Sequence, residues 1–290
     1  MSGVLLGAVA YDPKVVTIWD GFRAWLRDAA GLDFDYVLYS NYERQVSDLV
    51  DGRIDLAWNS PLAWVRARRL AGARGTALTP VTMRDTDCDL RSVIAVRVDS
   101  TVRSISDLAG RTVATGAVDS PQATLLPLSL LRSAGLEPGK DVQVKRSGVG
   151  VGLHGDHIGG ERDAARALFA ADPAERVDAA CMIDGNLLLF GREGVLPAGS
   201  VRVLAQTPPY DHCTMTAFGP AGANPDITRF GELLRGMDYA DPVLRPLLDL
   251  EGLKEWQPPR LSGYDQLEKA VDEAGFYDAD GTVTAGDYRP

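Results

Sequence analysis

Ser40-Asn-Tyr-Glu-Arg-Gln-Val-Ser-Asp-Leu-Val-Asp-Gly-Arg-Ile-Asp-Leu-Ala-Trp-Asn-Ser-Pro-Leu-Ala-Trp64 is the stretch that decides the architecture. Just before it, Phe34–Tyr39 reads as a strand. Within it, Glu43–Val50 predicts a helix that ends near Gly52, and Ile54–Trp58 a short buried strand. Asn59 and Ser60 follow that strand, and Pro61–Leu70 predicts the next helix, with proline in a tolerated first-turn position. Strand, helix, strand and helix in close succession are the signature of an α/β protein with mostly parallel sheets.

The same alternation extends in both directions. Val4–Ala10 reads as the first strand. Val15–Ala30 predicts a helix with Ile18, Phe22, Trp25 and Leu26 on one face and Gly31 at its end. Val81–Thr82 and Ser92–Val98 read as strands. A second α/β set follows, with strands over Thr112–Gly116, Val142–Arg146 and Ala179–Ile183 and helices over Ser120–Ser133 and Arg162–Ala170. A glycine-rich loop, Gly148–Gly160, lies between them. Val201–Ala205 and Cys213–Phe218 read as strands, and helices are expected over Pro225–Gly236, Pro242–Trp256 and Tyr264–Ala274. Tyr277–Pro290 reads as a polar surface tail. Two lobes are expected, residues 1–91 with 207–290 and residues 92–206, with crossovers near 88–95 and 201–217. Two lobes joined by two segments make a hinge, and a hinge implies a ligand cleft.

Composition narrows the function. With 40 acids against 30 bases the net charge is −10, which argues against a nucleic-acid partner. A local site can still oppose the global field and take a small anion. No stretch reaches the ~18 apolar residues of a membrane span. The three cysteines, Cys88, Cys181 and Cys213, show no CxxC spacing and allow one disulfide at most; reduced thiols are expected. Met1-Ser2-Gly3 runs straight into the apolar Val4–Ala10 without a basic leader or cleavage site. The chain as given is therefore expected in the cytoplasm, and in the periplasm or at the cell surface as a trimmed mature form.

In open α/β sheets, ligands bind at the carboxyl ends of the strands. Those ends carry Tyr11, then Tyr42, then Asn59 and Ser60 with Trp64 one turn on. In the second set they carry Ser120, Gln122 and Ala123, then His154, His157, Glu161 and Arg162, then Asp184. Tyr210 and His212 lie on the return crossover. Aromatic walls with a few fixed polar groups are the composition of a small-molecule pocket, although Ser, Asn and Asp also serve as helix caps. The helix start at Ser120 has unpaired N–H groups and roughly +0.5 charge, able to hold a phosphate, phosphonate or carboxylate; equally, Asp119 or Ser120 caps its own helix.

The Ser40–Trp64 stretch resembles the first-lobe signature of the phosphate/phosphite/phosphonate substrate-binding proteins of ABC transporters. Ser92-Val-Ile-Ala-Val-Arg-Val-Asp-Ser and Ser104-Ile-Ser-Asp-Leu-Ala-Gly-Arg-Thr-Val-Ala-Thr-Gly resemble that family's entry into the second lobe. The resemblance implies a type 2 periplasmic-binding-protein fold, mixed sheets flanked by helices, closing on a small anion at the hinge. It implies a monomer, and a permease partner if the chain is exported. By motif, Tyr42 and Trp64 become aromatic walls, Asn59 and Ser60 hydrogen-bond donors or acceptors of the first lobe, Ser120 to Ala123 the anion-binding helix start, and Asp184 an acid facing a ligand amino group. Two departures stand out. Ser120-Pro121-Gln122-Ala123 replaces Ser-Thr-Ser-Gly, which removes one N–H donor and two hydroxyls. Arg162 stands where the family often has a histidine before Asp-Ala.

All three histidines, His154, His157 and His212, fall in the expected cleft region, with Glu161 close in sequence to two of them. Asp211-His212-Cys213 is expected to approach across the hinge, and imidazole, carboxylate and thiolate together can ligate zinc or iron(II), or supply a general base. The spacing matches no established metal motif, and no cofactor is expected. The leading expectation is a solute-binding protein or internal sensor for a phosphonate-, phosphate ester- or carboxylate-like anion. The alternative is a cytosolic enzyme on the same fold, acting on a phosphorylated or carboxylated substrate, with His157, His212 and Glu161 as acid–base candidates and His154, His157, Glu161 and His212 as metal candidates.

Overall fold

The computed structural model describes residues 3–220 and 222–290; the first two residues of the leader argument, Met1 and Ser2, lie outside this range. Strand β1 (Val4–Val9) leads into helix α1 (Lys14–Ala24), which continues as a wide π-helical turn over Trp25–Ala29. Then come β2 (Phe34–Tyr39), α2 (Tyr42–Val50), β3 (Leu56–Asn59), α3 (Pro61–Ala73) and β4 (Leu78–Arg84). Asn41 and Ser60 cap α2 and α3: Asn41 Oδ1 accepts from Arg44 N at 2.9 Å and Ser60 Oγ from Ala63 N at 3.1 Å.

The chain next builds β5 (Ser92–Arg97), β6 (Thr112–Thr115), a π-helical turn at Pro121–Leu125 running into α4 (Leu126–Ser133), and β7 (Gln143–Arg146). Helix α5 (Gly159–Ala167), β8 (Ala179–Ile183), α6 (Asp184–Arg192) and β9 (Val201–Gln206) follow. The remainder is β10 (Thr214–Phe218), α7 (Pro225–Arg235), α8 (Arg245–Glu251), β11 (Trp256–Gln257) and α9 (Asp265–Ala274).

Two mixed sheets result. One has strand order β11-β4-β10-β3-β1-β2, the other β7-β6-β8-β5-β9. In the first, β1 runs parallel to β2 and β3, while β10 runs antiparallel to β3 and β4. In the second, β6 is parallel to β7 and β8, while β5 is antiparallel to β8 and β9. The chain passes between the sheets twice, from β4 to β5 and from β9 to β10. Helices cover both faces of each sheet, which is why the central strands read as unbroken apolar runs. Trp19, Phe22, Phe34 and Phe230 fill one face of the first sheet; Val46, Leu49 and Ile54 fill the other.

A further apolar cluster joins the two halves. Leu62, Trp64 and Val65 of α3 pack with Leu125, Leu126, Tyr210, Leu267 of α9, Phe276 and Tyr288. The expected surface tail is therefore corrected. Phe276, Tyr277 and Tyr288 are each 3% exposed or less, and Tyr277 donates its hydroxyl to Glu43 Oε1 at 2.9 Å. The tail's apolar residues are too scattered to show a period, yet each aromatic finds a pocket and each phenol a polar partner. The expected helix over Pro242–Trp256 is also shorter: Gly252, at φ 85°, ends α8 in the left-handed conformation, and Trp256 pairs with Arg84 as an edge strand. Among the described residues, no helix is long and apolar enough to cross a membrane.

Candidate functional site

A cavity of about 390 Å³ opens between the two sheets. From the first half it is lined by Tyr11 and Lys14 beyond β1, Trp58 of β3 and Arg84 at the end of β4. Asp87, His212 and Cys213 come from the two crossovers. The second half supplies Gln122, Ile183 and Asn186, together with the loop residues Gly155 to Ile158. These positions lie at or just beyond the carboxyl ends of β1, β3, β4 and β8, where the loops that follow leave room for a ligand.

Its centre is ionic. Arg84 Nε lies 2.6 Å from Asp87 Oδ2 and Arg84 Nη2 2.9 Å from Asp87 Oδ1. Arg84 Nη1 reaches Glu251 Oε1 at 3.4 Å, and the guanidinium lies 5.2 Å from the centre of the Trp58 ring. Burial opposes charge on Asp87, but the Arg84 charge and a His212 hydrogen bond outweigh it and hold the carboxyl at about 2. Glu251 is pushed up to about 7, because burial there exceeds what the shared Arg84 returns. Asp156 is also raised by burial, against the pull of His212 and a Tyr42 hydrogen bond. His212 Nδ1 lies 3.1 Å from Cys213 Sγ and 3.5 Å from Asp87 Oδ1. Its Nε2 is buried without a hydrogen-bond partner, 4.0 Å from Asp156 Oδ1.

The expected anion site at the Ser120 helix start is filled by the chain itself. Ser120 Oγ accepts from Ala123 N at 3.2 Å, so Ser120 caps its own turn. Gln122 Nε2 donates to the Gly155 carbonyl at 2.8 Å. A Cβ on Gly155 would lie 2.4 Å from Ser120 Oγ, so only glycine brings the loop this close. Asp119 Oδ2 accepts from the N–H groups of Gly152 and His154 at 2.6 and 3.2 Å. The glycine-rich loop thus lies across the helix start, and its backbone takes the place beside Ser120 that a ligand was expected to hold.

That loop also carries His154 into the first half. The ring is fully buried, stacked on Tyr42 at 4.7 Å between centres. Nδ1 lies 2.7 Å from Ser60 Oγ and Nε2 3.0 Å from Glu43 Oε1. Burial raises the Glu43 pKa, but His154 and hydrogen bonds from His154, Tyr288 and Tyr277 hold it at about 2. His154 is correspondingly raised, burial being outweighed by Glu43.

Of the expected ligand contacts, Tyr11, Gln122, His157 and His212 line the cavity. The others are placed elsewhere. Tyr42 is covered by His154 and donates its hydroxyl to Asp156. Asn59 accepts from Gln45, Trp64 packs 5.8 Å from Tyr264, and Ala123 is fully buried. Tyr210 is buried in the joining cluster. The Arg162 guanidinium lies over the Phe190 ring at 5.0 Å and pairs with Glu193, away from the cavity lining. Asp184 turns back to Gly185 N. Glu161 accepts from Ile183 N and Asn186 Nδ2, both at 2.9 Å, and so positions Asn186 at the cavity wall.

The expected metal set of His154, His157, Glu161 and His212 does not gather. His154 is locked between Ser60 and Glu43, exposed His157 accepts from Gly159 N, and Glu161 holds the start of α6. His212 instead gathers with Asp87 and Cys213, their ligand atoms within 4.8 Å of one another. All three cysteines are free thiols. Sequence reasoning missed Trp58, Arg84 and Asp87. The apolar run that predicts this strand covers only Val81–Thr82, whereas β4 reaches Arg84, so its carboxyl end lies beyond the hydrophobic signal.

A family profile described as "ABC transporter, phosphonate, periplasmic substrate-binding protein" matches residues 8–264. Many solved structures are similar, among them the following three. PhnD1 from Prochlorococcus marinus, in complex with methylphosphonate, is 18% identical over 94% of this chain and 98% of that one, with a TM-score of 0.67. A binding protein component of an ABC phosphonate transporter from Pseudomonas aeruginosa is 13% identical over 94% and 95%, with a TM-score of 0.60. The periplasmic aliphatic sulphonate binding protein SsuA from Escherichia coli is 19% identical over 94% and 92%, with a TM-score of 0.57. These structures share the two-lobed fold.

Proposed function

The chain belongs to the family of ABC-transporter phosphonate periplasmic substrate-binding proteins, and from that membership we propose that it holds a small polar anion in the cavity between its two sheets. One observation carries the reading. Both halves contribute to the same cavity, Tyr11, Lys14 and Arg84 from one side and Gln122 and Asn186 from the other. A ligand touching both sides favours the closed arrangement by its differential contacts. The crossovers from β4 to β5 and from β9 to β10 are the proposed hinge, and the exported protein hands its solute to an ABC permease. Phosphonates, phosphate esters, sulfonates and carboxylates are the candidate solutes.

Native mass spectrometry of the protein as purified, followed by calorimetric titration with methylphosphonate, phosphate, an alkanesulfonate and acetate, tests the reading. One of these anions, or one retained from the cell, is expected to bind at one equivalent and to be recovered chemically unchanged. Absence of binding by every anion, with none retained, sinks it, and conversion of the ligand replaces it with an enzyme.

A further inference from the structure

We propose that Asp87, His212 and Cys213 form a divalent transition-metal site in the cavity wall, and that the metal is the positive anchor for the anion. The second half rests on the proposed function; the first half does not.

The donor set is suited to a borderline ion such as zinc, which takes carboxylate oxygen, imidazole nitrogen and thiolate sulfur. Bonds of about 2.0–2.3 Å set neighbouring ligand atoms about 3.3–3.8 Å apart in a tetrahedron. His212 Nδ1 is 3.5 Å from Asp87 Oδ1, inside that range, and 3.1 Å from Cys213 Sγ, a hydrogen-bond distance that metal uptake would widen by a few tenths of an ångström. All three residues line the cavity, so a metal held by them would lie at its wall, within reach of a ligand there.

The surroundings fit the same assignment. His212 Nε2 is buried, lacks a hydrogen-bond partner and points toward Asp156 Oδ1 at 4.0 Å. With the ring proton on Nε2, the Nδ1 lone pair faces Asp87 and Cys213. A closing of the 4.0 Å gap to Asp156 Oδ1 by about 1 Å would make the hydrogen bond by which a carboxylate fixes a ligating histidine's tautomer. Arg84 grips Asp87 through both oxygens, but each carboxylate oxygen has a second lone pair, so Arg84 orients the ligand without consuming it. Charge points the same way. Asp87 and Glu251 both pair with the buried guanidinium of Arg84, which spends its charge on them and leaves Lys14 as the other cation lining the cavity. A dication bound at Asp87 adds positive charge beside an entering anion, with the Cys213 thiol releasing its proton to water as the metal–sulfur bond forms.

The test uses the full chain, stripped by chelator and titrated with Co²⁺ alone. One equivalent is expected to give the visible bands of a low-coordinate cobalt site and a near-ultraviolet thiolate-to-cobalt band. Zn²⁺ should displace it. Cys213→Ser should abolish the thiolate band, and His212→Gln should weaken binding, while Cys88→Ala leaves the spectrum unchanged. A rise in the melting temperature of the unmutated protein with Zn²⁺, absent with Mg²⁺, supplies a readout that no misfolded variant can confuse. No stoichiometric cobalt spectrum, or a spectrum unchanged in Cys213→Ser, overturns the site. Anion titration with and without Zn²⁺ then separates the two claims. Metal uptake without anion binding leaves the metal site standing and removes the proposed function. Anion binding at equal affinity without metal removes the anchor.

Discussion

Ser60 Oγ and His154 Nδ1 lie 2.7 Å apart and fully buried, joining the N-terminus of α3 to the glycine-rich loop of the other half. The contact does not stand alone. Glu43 and Tyr288 reach the same imidazole and Tyr277 donates to Glu43, so the first half, the loop and the C-terminal tail meet around one ring.

His154→Ala is expected to destabilise the protein strongly. It leaves Glu43 buried without its counter-charge, and breaking a buried pair costs about 3–5 kcal/mol. Urea denaturation should show a lower midpoint with an unchanged slope. A loss below about 1 kcal/mol, the scale of a surface pair, would mean that the contact is not buried in solution.

The pair also predicts a pH profile. Glu43 is held at about 2, below its unfolded value, so its stabilisation is present above the unfolded value and fades as pH falls toward 2. His154 is raised, so its stabilisation is complete below about 6.5, its unfolded value, and fades as pH climbs through the folded one. Asp119 works against them, since burial raises its pKa and its ionisation costs stability. The melting-temperature difference between the unmutated protein and His154→Gln should peak at about pH 5–6 and shrink on both sides. A difference independent of pH between 3 and 9 would exclude ionic pairing of Glu43 with His154.

The sequence carried the two α/β sets clearly, because buried parallel strands such as Ala179–Ile183 are short apolar runs with few alternatives. The site was less legible. Ser60 and Ser120 looked like ligand groups, and both are helix caps, a role the same side chains fill by the same hydrogen-bond chemistry. His154 and His157 are three residues apart, yet one is buried against Glu43 and the other exposed. Nothing local separates them, because the difference comes from where a long glycine loop folds. Tyr277 and Tyr288 failed to show as core for the same reason: their partners lie far away in the chain.

Gly155→Ala tests the loop's seat on the Ser120 turn. Gly155 has φ +81°, and its new Cβ would meet Ser120 Oγ and Gln122 Nε2 at 2.4 and 2.5 Å. Strain and overpacking should cost about 1–3 kcal/mol. Gly72→Ala is the control: that glycine has open space and sits in α3, where alanine should add about 0.5–1 kcal/mol of stability. Equal effects on the two melting curves would mean that the loop does not dock there.

Deleting residues 286–290 removes the Tyr288 ring from the joining cluster and the Asp287 partner of Arg146. Pro290 also packs beside Gly152, so the loop loses its outer cover. Limited proteolysis should then cut within residues 148–158 well before the core, while the intact chain resists. Unchanged cleavage at the loop would show that the tail packs without holding it.

The cavity and the helix start make opposite predictions for binding. Ser120 is fully used as a cap beneath the loop, so Ser120→Ala should cost about 1 kcal/mol of stability and leave anion affinity unchanged. Lys14 lines the cavity, and it forms no salt bridge among the described residues. Lys14→Gln should therefore weaken binding of the retained anion by roughly 5–30-fold, as expected for removing a charged hydrogen bond worth about 1–2 kcal/mol. Its affinity should also fall with salt in the unmutated protein and less so in the variant. Calorimetry on the two variants decides between the sites. If Ser120→Ala loses affinity and Lys14→Gln does not, the loop must lift off the helix start to admit the ligand there, and the cavity between Arg84 and Asn186 is not where the anion rests.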